Sequence, residues 1–162
     1  MNVDVQVASD AAGIPASDDI RDWVERAIHT MDPGRDVDVS VRIVDEQEMR
    51  TLNRDYRDQD KPTNVLAFPA GDDGFAPPGE TPLLGDIVVC AGVVAREAAE
   101  QGKPPGHHWS HMLVHGTLHL LGYDHTEERE ALVMEALETA ILAELNYPCP
   151  YLAQPPQENT LA

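Results

Sequence analysis

Basic residues are scarce in this chain: 11 Lys and Arg stand against 29 Asp and Glu, a formal net charge of −18. Such a field repels polyanions over roughly a Debye length, which excludes the broad basic face of a generic nucleic-acid binder. Long hydrophobic runs are missing too. None approaches the roughly 20 apolar residues of a membrane-spanning helix. The N-terminal residues Met1 to Val7 lack a basic region followed by an apolar stretch, so no secretory signal is expected. Cysteine is sparse. Cys90 and Cys149 lie too far apart for a paired metal or redox motif, and are expected as a buried small thiol and a tail thiol in a reducing cytoplasm.

What remains is ordinary material for one domain: 162 residues, 42% hydrophobic and 25% charged, enough to bury a single core. Val3, Val5 and Val7 alternate with polar residues and predict a strand. Ser17 is placed to cap a helix whose stripe is Ile20, Trp23, Val24, Ala27, Ile28 and Met31, and Pro33-Gly34 ends it. Val37, Val39, Val41 and Ile43 predict a second strand. Asp45 with Glu48 suggests a capping box and a short helix to about Asn53, followed by a loop from Tyr56 to Asn64. Val65 to Phe68 and Leu83 to Cys90 predict two more strands, the latter interrupted at Gly85-Asp86. Residues 70–82 are expected as a mobile surface loop. Ala91 to Gln101 and His107 to Leu121 predict helices. Thr126 is placed to cap a last helix with Met134, Leu137, Ile141 and Leu145 as its stripe. The expected domain covers 1–147, with 148–162 a disordered tail. Strands and helices mix without strict alternation, so the class is α+β.

The segment from His115 to His125 carries the chemistry. Residues four apart on a helix stack one turn above each other, so His115 and His119 can share a cation. Gly122 can take positive φ and turn the chain back, returning His125 as a third ligand. Three neutral imidazoles with one open position describe a hydrolytic zinc site, whereas structural sites close all four, commonly with thiolates. The spacing matches the metzincin pattern at all three His and at the Gly. It departs at Gly116, where a peptidase carries its glutamate base. Upstream, four of the eleven basic residues, Arg50, Arg54, Arg57 and Lys61, fall within twelve positions. A guanidinium at Arg57 can hold two phosphate oxygens. His111, one turn before His115, is a candidate acid–base group, partner of a ligand or surface residue. His107 and His108 are expected to be solvated. Asp86, a carboxylate inside an apolar strand, is a candidate to orient a His ligand.

The stretch His115-Gly-x-Leu-His119-Leu-x-Gly122-Tyr-Asp-His125 resembles the signature of the bacterial YbeY family, endoribonucleases of ribosomal RNA maturation. Leu52-Asn53-Arg54-x-Tyr56-Arg57, then Asp60-Lys61-Pro62-Thr63-Asn64-Val65-Leu66-x-Phe68-Pro69, and then Leu84-Gly85-Asp86-Ile87 are similar to two further blocks of that family. The likeness spans roughly residues 50 to 142. It implies one α+β domain with a small mixed sheet of about four strands and a central helix binding one zinc ion through His115, His119 and His125. It also implies a functional arginine at Arg57, cleavage of single-stranded RNA at the 3′ end of small-subunit ribosomal RNA, and a role in ribosome quality control. An acidic chain would then lean on the small ribosomal subunit or on protein partners for attraction to RNA. The rival readings are a metzincin-like peptidase and a non-enzymatic assembly factor with a structural metal.

Overall fold

Strand β1 (Asn2–Ala8) pairs in parallel with β2 (Asp38–Val44), and helix α1 (Ser17–Met31) makes the crossover between them. Helix α2 (Glu46–Arg57) follows β2, then β3 (Val65–Pro69), β4 (Leu83–Cys90), α3 (Ala91–Gln101), α4 (Pro105–Leu120) and α5 (Glu128–Glu144). β4 lies parallel to β2, and β3 runs antiparallel on the outside of β4, giving the order β1-β2-β4-β3. A mixed four-stranded sheet with helices is the α+β class that the sequence implies. This computed structural model describes residues 1–70 and 79–151. Most of the expected 70–82 loop, and the expected tail beyond Tyr151, therefore lie outside the described residues.

Strand parity divides the sheet into two faces. Val39, Val41, Ile43, Val65, Ile87 and Val89 join Ile20 and Trp23 of α1 and Trp109 and Leu113 of α4 in the main core. Leu66 and Val88 pack instead with Met49 of α2 and Val93 of α3. Each such apolar side chain contributes ~1.5–3 kcal/mol through removal from water. α4 is the central element, touching α1, α3, α5, β3 and β4. Hence it is buried nearly all round, from His108 through Val114 and from Gly116 through Leu118, and shows no amphipathic stripe.

Two glycines set α4 tight against the sheet. A Cβ on Gly116 would stand 3.0 Å from Ile87 Cγ2 and 3.4 Å from Val65 Cγ2. At Gly85, with φ of 156°, a Cβ would meet the Phe68 carbonyl oxygen at 2.5 Å and Leu120 Cδ2 at 2.6 Å. Gly85 therefore permits close approach inside β4, and the strand continues through Gly85-Asp86, with the expected interruption reduced to a one-residue slip against β2 between Leu83 and Gly85.

Several local expectations shift. The cap before α1 is Ala16, without a side-chain hydrogen bond, and Ser17 is already helical. Asp45 occupies the cap of α2 but accepts the Ser9 hydroxyl, while Glu48 pairs with Arg42 rather than closing a box. α2 runs a full turn past Asn53, until Asp58 adopts a left-handed φ of 60°. Its last residue is Arg57, which thus belongs to a helix and not to a loop. Buried Asn53 then shapes the following turn, donating to the Lys61 carbonyl oxygen at 2.8 Å. Glu127 caps α5, and Thr126 donates to the Glu130 carboxylate at 2.9 Å. Val7, on the edge strand β1, is exposed.

Candidate metal centre

α4 carries His111, His115 and His119 in a row along one side. The Nε2 atoms of His115 and His119 lie 3.1 Å apart, with ring centroids at 4.6 Å. The helix ends at Leu120, and Gly122 takes a φ of 102°. The Gly122 N–H donates to the His119 carbonyl and the Tyr123 N–H to the Leu118 carbonyl, both at 3.0 Å. This reversal brings His125 back, its ring centroid 5.3 Å from His115 and 5.1 Å from His119. One ligand nitrogen from each of the three lies within 4.8 Å of the others.

The donor set fits zinc. Zn–N bonds of ~2.0–2.1 Å in a tetrahedron place ligand nitrogens ~3.3 Å apart, close to the 3.1 Å between His115 and His119. A cation also needs neutral imidazoles. Burial first, then the neighbouring His115 and His125 rings, depresses His119 to about 4. Its lone pair is therefore free across the neutral range. The folded value lies below the ~6.5 of an unfolded imidazole, so the unfolded chain takes up this proton first. The stability that neutral His119 confers is complete above pH ~6.5 and is lost as pH falls toward about 4. Metal-stripped wild type should thus lose thermal stability relative to metal-stripped His119→Ala as pH is lowered through that window. A constant difference in Tm would contradict the depressed value. Comparing the two proteins cancels the relief of self-repulsion that acid brings to both.

A carboxylate missed in the sequence completes the surroundings. Glu138 of α5 is fully buried between Met134 and Ile141-Leu142. It accepts hydrogen bonds from His115 Nδ1, from His111 Nε2 at 3.3 Å and from the Tyr151 hydroxyl. Burial alone would raise its pKa, but the bonds from His111 and His115 hold it down at about 2. The signal was present: 134, 138, 141 and 142 have helical spacing, with a carboxylate inside an apolar stripe. Half-buried Leu137 took its place in the sequence reading.

Other candidates fall elsewhere. Asp86 follows Gly85 and precedes Ile87, which meets Gly116; parity turns Asp86 to the opposite face. There it lines a cleft with Ser40, Arg42 and Phe68, so it orients no His ligand. His111 does not line the metal cleft; its ring is buried behind His115, tied to Glu138 and Tyr151. His108 is buried rather than solvated, 2.8 Å from the Glu97 carboxylate, and burial pushes its pKa down against that bond. Tyr151, inside the segment expected to be a disordered tail, packs its ring 5.3 Å from His111.

Arg57 reaches the same cleft from α2. The cleft, about 360 Å³ in volume, is lined by Arg57, Thr63, Asn64 and the three His. Arg50 pairs with Asp60 and Arg54 with Asp55. Among the described residues no carboxylate pairs with Arg57. Two of the four basic residues read from the sequence are therefore paired; among the described residues Arg57 and Lys61 are not, and of these Arg57 is the one that lines the cleft with the imidazoles.

The chain matches known proteins over most of its length. The profile of the family described as Endoribonuclease YbeY matches residues 5–146. A protein of Alcanivorax borkumensis named Endoribonuclease YbeY is 52% identical over 161 residues, covering 99% of this chain and 90% of that protein. One of the same name from Halorhodospira halophila is 55% identical over 140 residues, covering 86% and 90%. A Thermotoga maritima protein solved in solution superposes with a TM-score of 0.56 at 25% identity, covering 88% of this chain and 91% of its own. With both sequence and fold matched over most of its length, the chain belongs to the endoribonuclease YbeY family.

Proposed function

We propose that this protein is a zinc-dependent endoribonuclease that cuts single-stranded RNA, acting in the cytoplasm on the 3′ end of small-subunit ribosomal RNA and in ribosome quality control. One observation carries the reading: three imidazoles converge on a cleft that also receives Arg57, which pairs with no carboxylate among the described residues, in a chain whose relatives are named endoribonucleases. Zinc held by His115, His119 and His125 would supply a Lewis acid for a phosphoryl oxygen. Arg57 supplies the second positive group, a planar fork for the remaining non-bridging oxygens. With Asp86 and His111 turned away, no described carboxylate lines the floor of the cleft; Asp124 stands only at its rim. Attack by the 2′-hydroxyl of the RNA suits this residue set, because it needs no carboxylate at position 116: the 2′-oxygen forms a bond to phosphorus and gives its proton to solvent, the bond from phosphorus to the 5′-oxygen breaks, and a 2′,3′-cyclic phosphate and a 5′-hydroxyl protonated from solvent are left. The surface charge adds little attraction for RNA, so affinity draws on the small subunit and its proteins. The test uses one RNA in three forms: single-stranded, in a duplex, and single-stranded with one 2′-deoxy residue at the cut. Only the first should be cleaved. Cleavage of the duplex would remove strand specificity, and cleavage at the deoxy position would remove the 2′-hydroxyl route.

The peptidase alternative meets a steric as well as a chemical obstacle. Glutamate at 116 would aim into Ile87 and Val65, against which even a Cβ is tight. Gly116→Glu is expected to lose ~1–3 kcal/mol of stability through overpacking and to gain no metal-dependent proteolysis of a denatured protein. Proteolysis by that variant, abolished by chelation, would show a peptidase cleft.

A further inference from the structure

Of the three imidazoles in the metal centre, only His115 has a carboxylate on its far nitrogen. Its Nδ1 faces Glu138 while its Nε2 faces His119 at 3.1 Å. No carboxylate bonds the rings of His119 or His125 among the described residues. The buried side of Glu138 is apolar, so its charge is held only by the donors around it: His115, His111 and the Tyr151 hydroxyl. Tyr151 comes from beyond α5, on the segment that turns back after Asn146, where φ is 68°. His111 also meets the Tyr151 hydroxyl, at 3.1 Å, closing a ring of three groups behind one ligand.

We propose that Glu138 is a positioning residue that holds His115 in the tautomer and ring orientation presenting Nε2 to the cation, and that Tyr151 locks Glu138 in place. The inference rests on the metal reading of the site. An imidazole donates from one nitrogen and coordinates through the other, so an acceptor fixed on Nδ1 determines which lone pair is offered. Glu138 makes that choice before any ion arrives. The segment following α5 thereby becomes part of the metal site, although none of its described residues lines the cleft.

The test compares wild type with Glu138→Leu, Glu138→Gln and Tyr151→Phe. Leucine matches the apolar stripe and removes the acceptor; glutamine keeps an acceptor oxygen without the charge. Zinc affinity, measured by competition with a chromophoric chelator, should fall ~10–100-fold in Glu138→Leu, the usual effect of losing such an outer partner. Glu138→Gln should recover part of the loss, and Tyr151→Phe should show a smaller one. In metal-free protein at alkaline pH, nitrogen-15 NMR should show His115 protonated at Nδ1 in wild type and a mixed tautomer in Glu138→Leu. A merely structural carboxylate would lower Tm and leave affinity and tautomer unchanged, which would overturn the proposal. If Glu138→Leu does not fold, wild-type affinity in both Glu138→Gln and Tyr151→Phe overturns it equally. If wild type itself binds no zinc, the metal reading fails, and the metal-free tautomer measurement still decides the role of Glu138.

Discussion

His119→Ala is expected to drop zinc affinity by more than ~100-fold and to bring RNA cleavage to background. Loss of an outer partner alone typically costs ~10–100-fold, and His119 is proposed as a direct donor, with its nitrogen 3.1 Å from that of His115. The remaining pair, His115 and His125, would have to bind with one protein ligand fewer than hydrolytic zinc sites use. The fold should survive, because half-buried His119 lies at the end of α4, while the neighbouring anchors Leu113, Val114 and Leu118 are fully buried. The check is metal content per chain after gel filtration, alongside circular dichroism. Stoichiometric zinc in a folded His119→Ala protein would remove this residue from the ligand set.

Arg57→Ala should keep zinc and fold while losing ~10²–10³ in turnover, the usual cost of one preorganised charge-stabilising group. Exposure at the end of α2 means that little packing is lost with the side chain. On the proposed role, in which the guanidinium answers charge that grows in the transition state, kcat should fall more than KM rises. Arg57→Lys should recover only part, since an ammonium cannot make two parallel hydrogen bonds. Single-turnover cleavage by the three zinc-replete proteins measures this. Wild-type rates from Arg57→Ala would leave the imidazoles as the whole site.

The three imidazoles were legible in the sequence because their geometry is local. Two sit one turn apart on a helix, and a glycine free to take positive φ returns the third. Glu138 was harder to read because a carboxylate at a buried helix position makes sense only once α5 is docked on α4. The same holds for His108, expected in water because it lies near the start of the helix; α4 is buried nearly all round from His108 onward. Asp86 failed on strand parity, since the pairing that turns Ile87 toward Gly116 turns its neighbour away. The strand order β1-β2-β4-β3 joins segments distant in sequence, and periodicity carries no record of which strands pair. Arg57, a candidate by residue type, was expected in a loop and lies in a helix, because the left-handed stop at Asp58 falls one turn beyond the expected end of α2.

The most direct test of zinc-dependent RNA cleavage is one preparation carried through one cycle. Metal content and cleavage of a defined single-stranded RNA are measured as purified, after exhaustive chelation, and after adding back one equivalent of zinc. About one zinc per chain is expected at the start, with loss of metal and cleavage together, and return of both at one equivalent. Undiminished cleavage by protein shown to be free of metal would contradict zinc dependence.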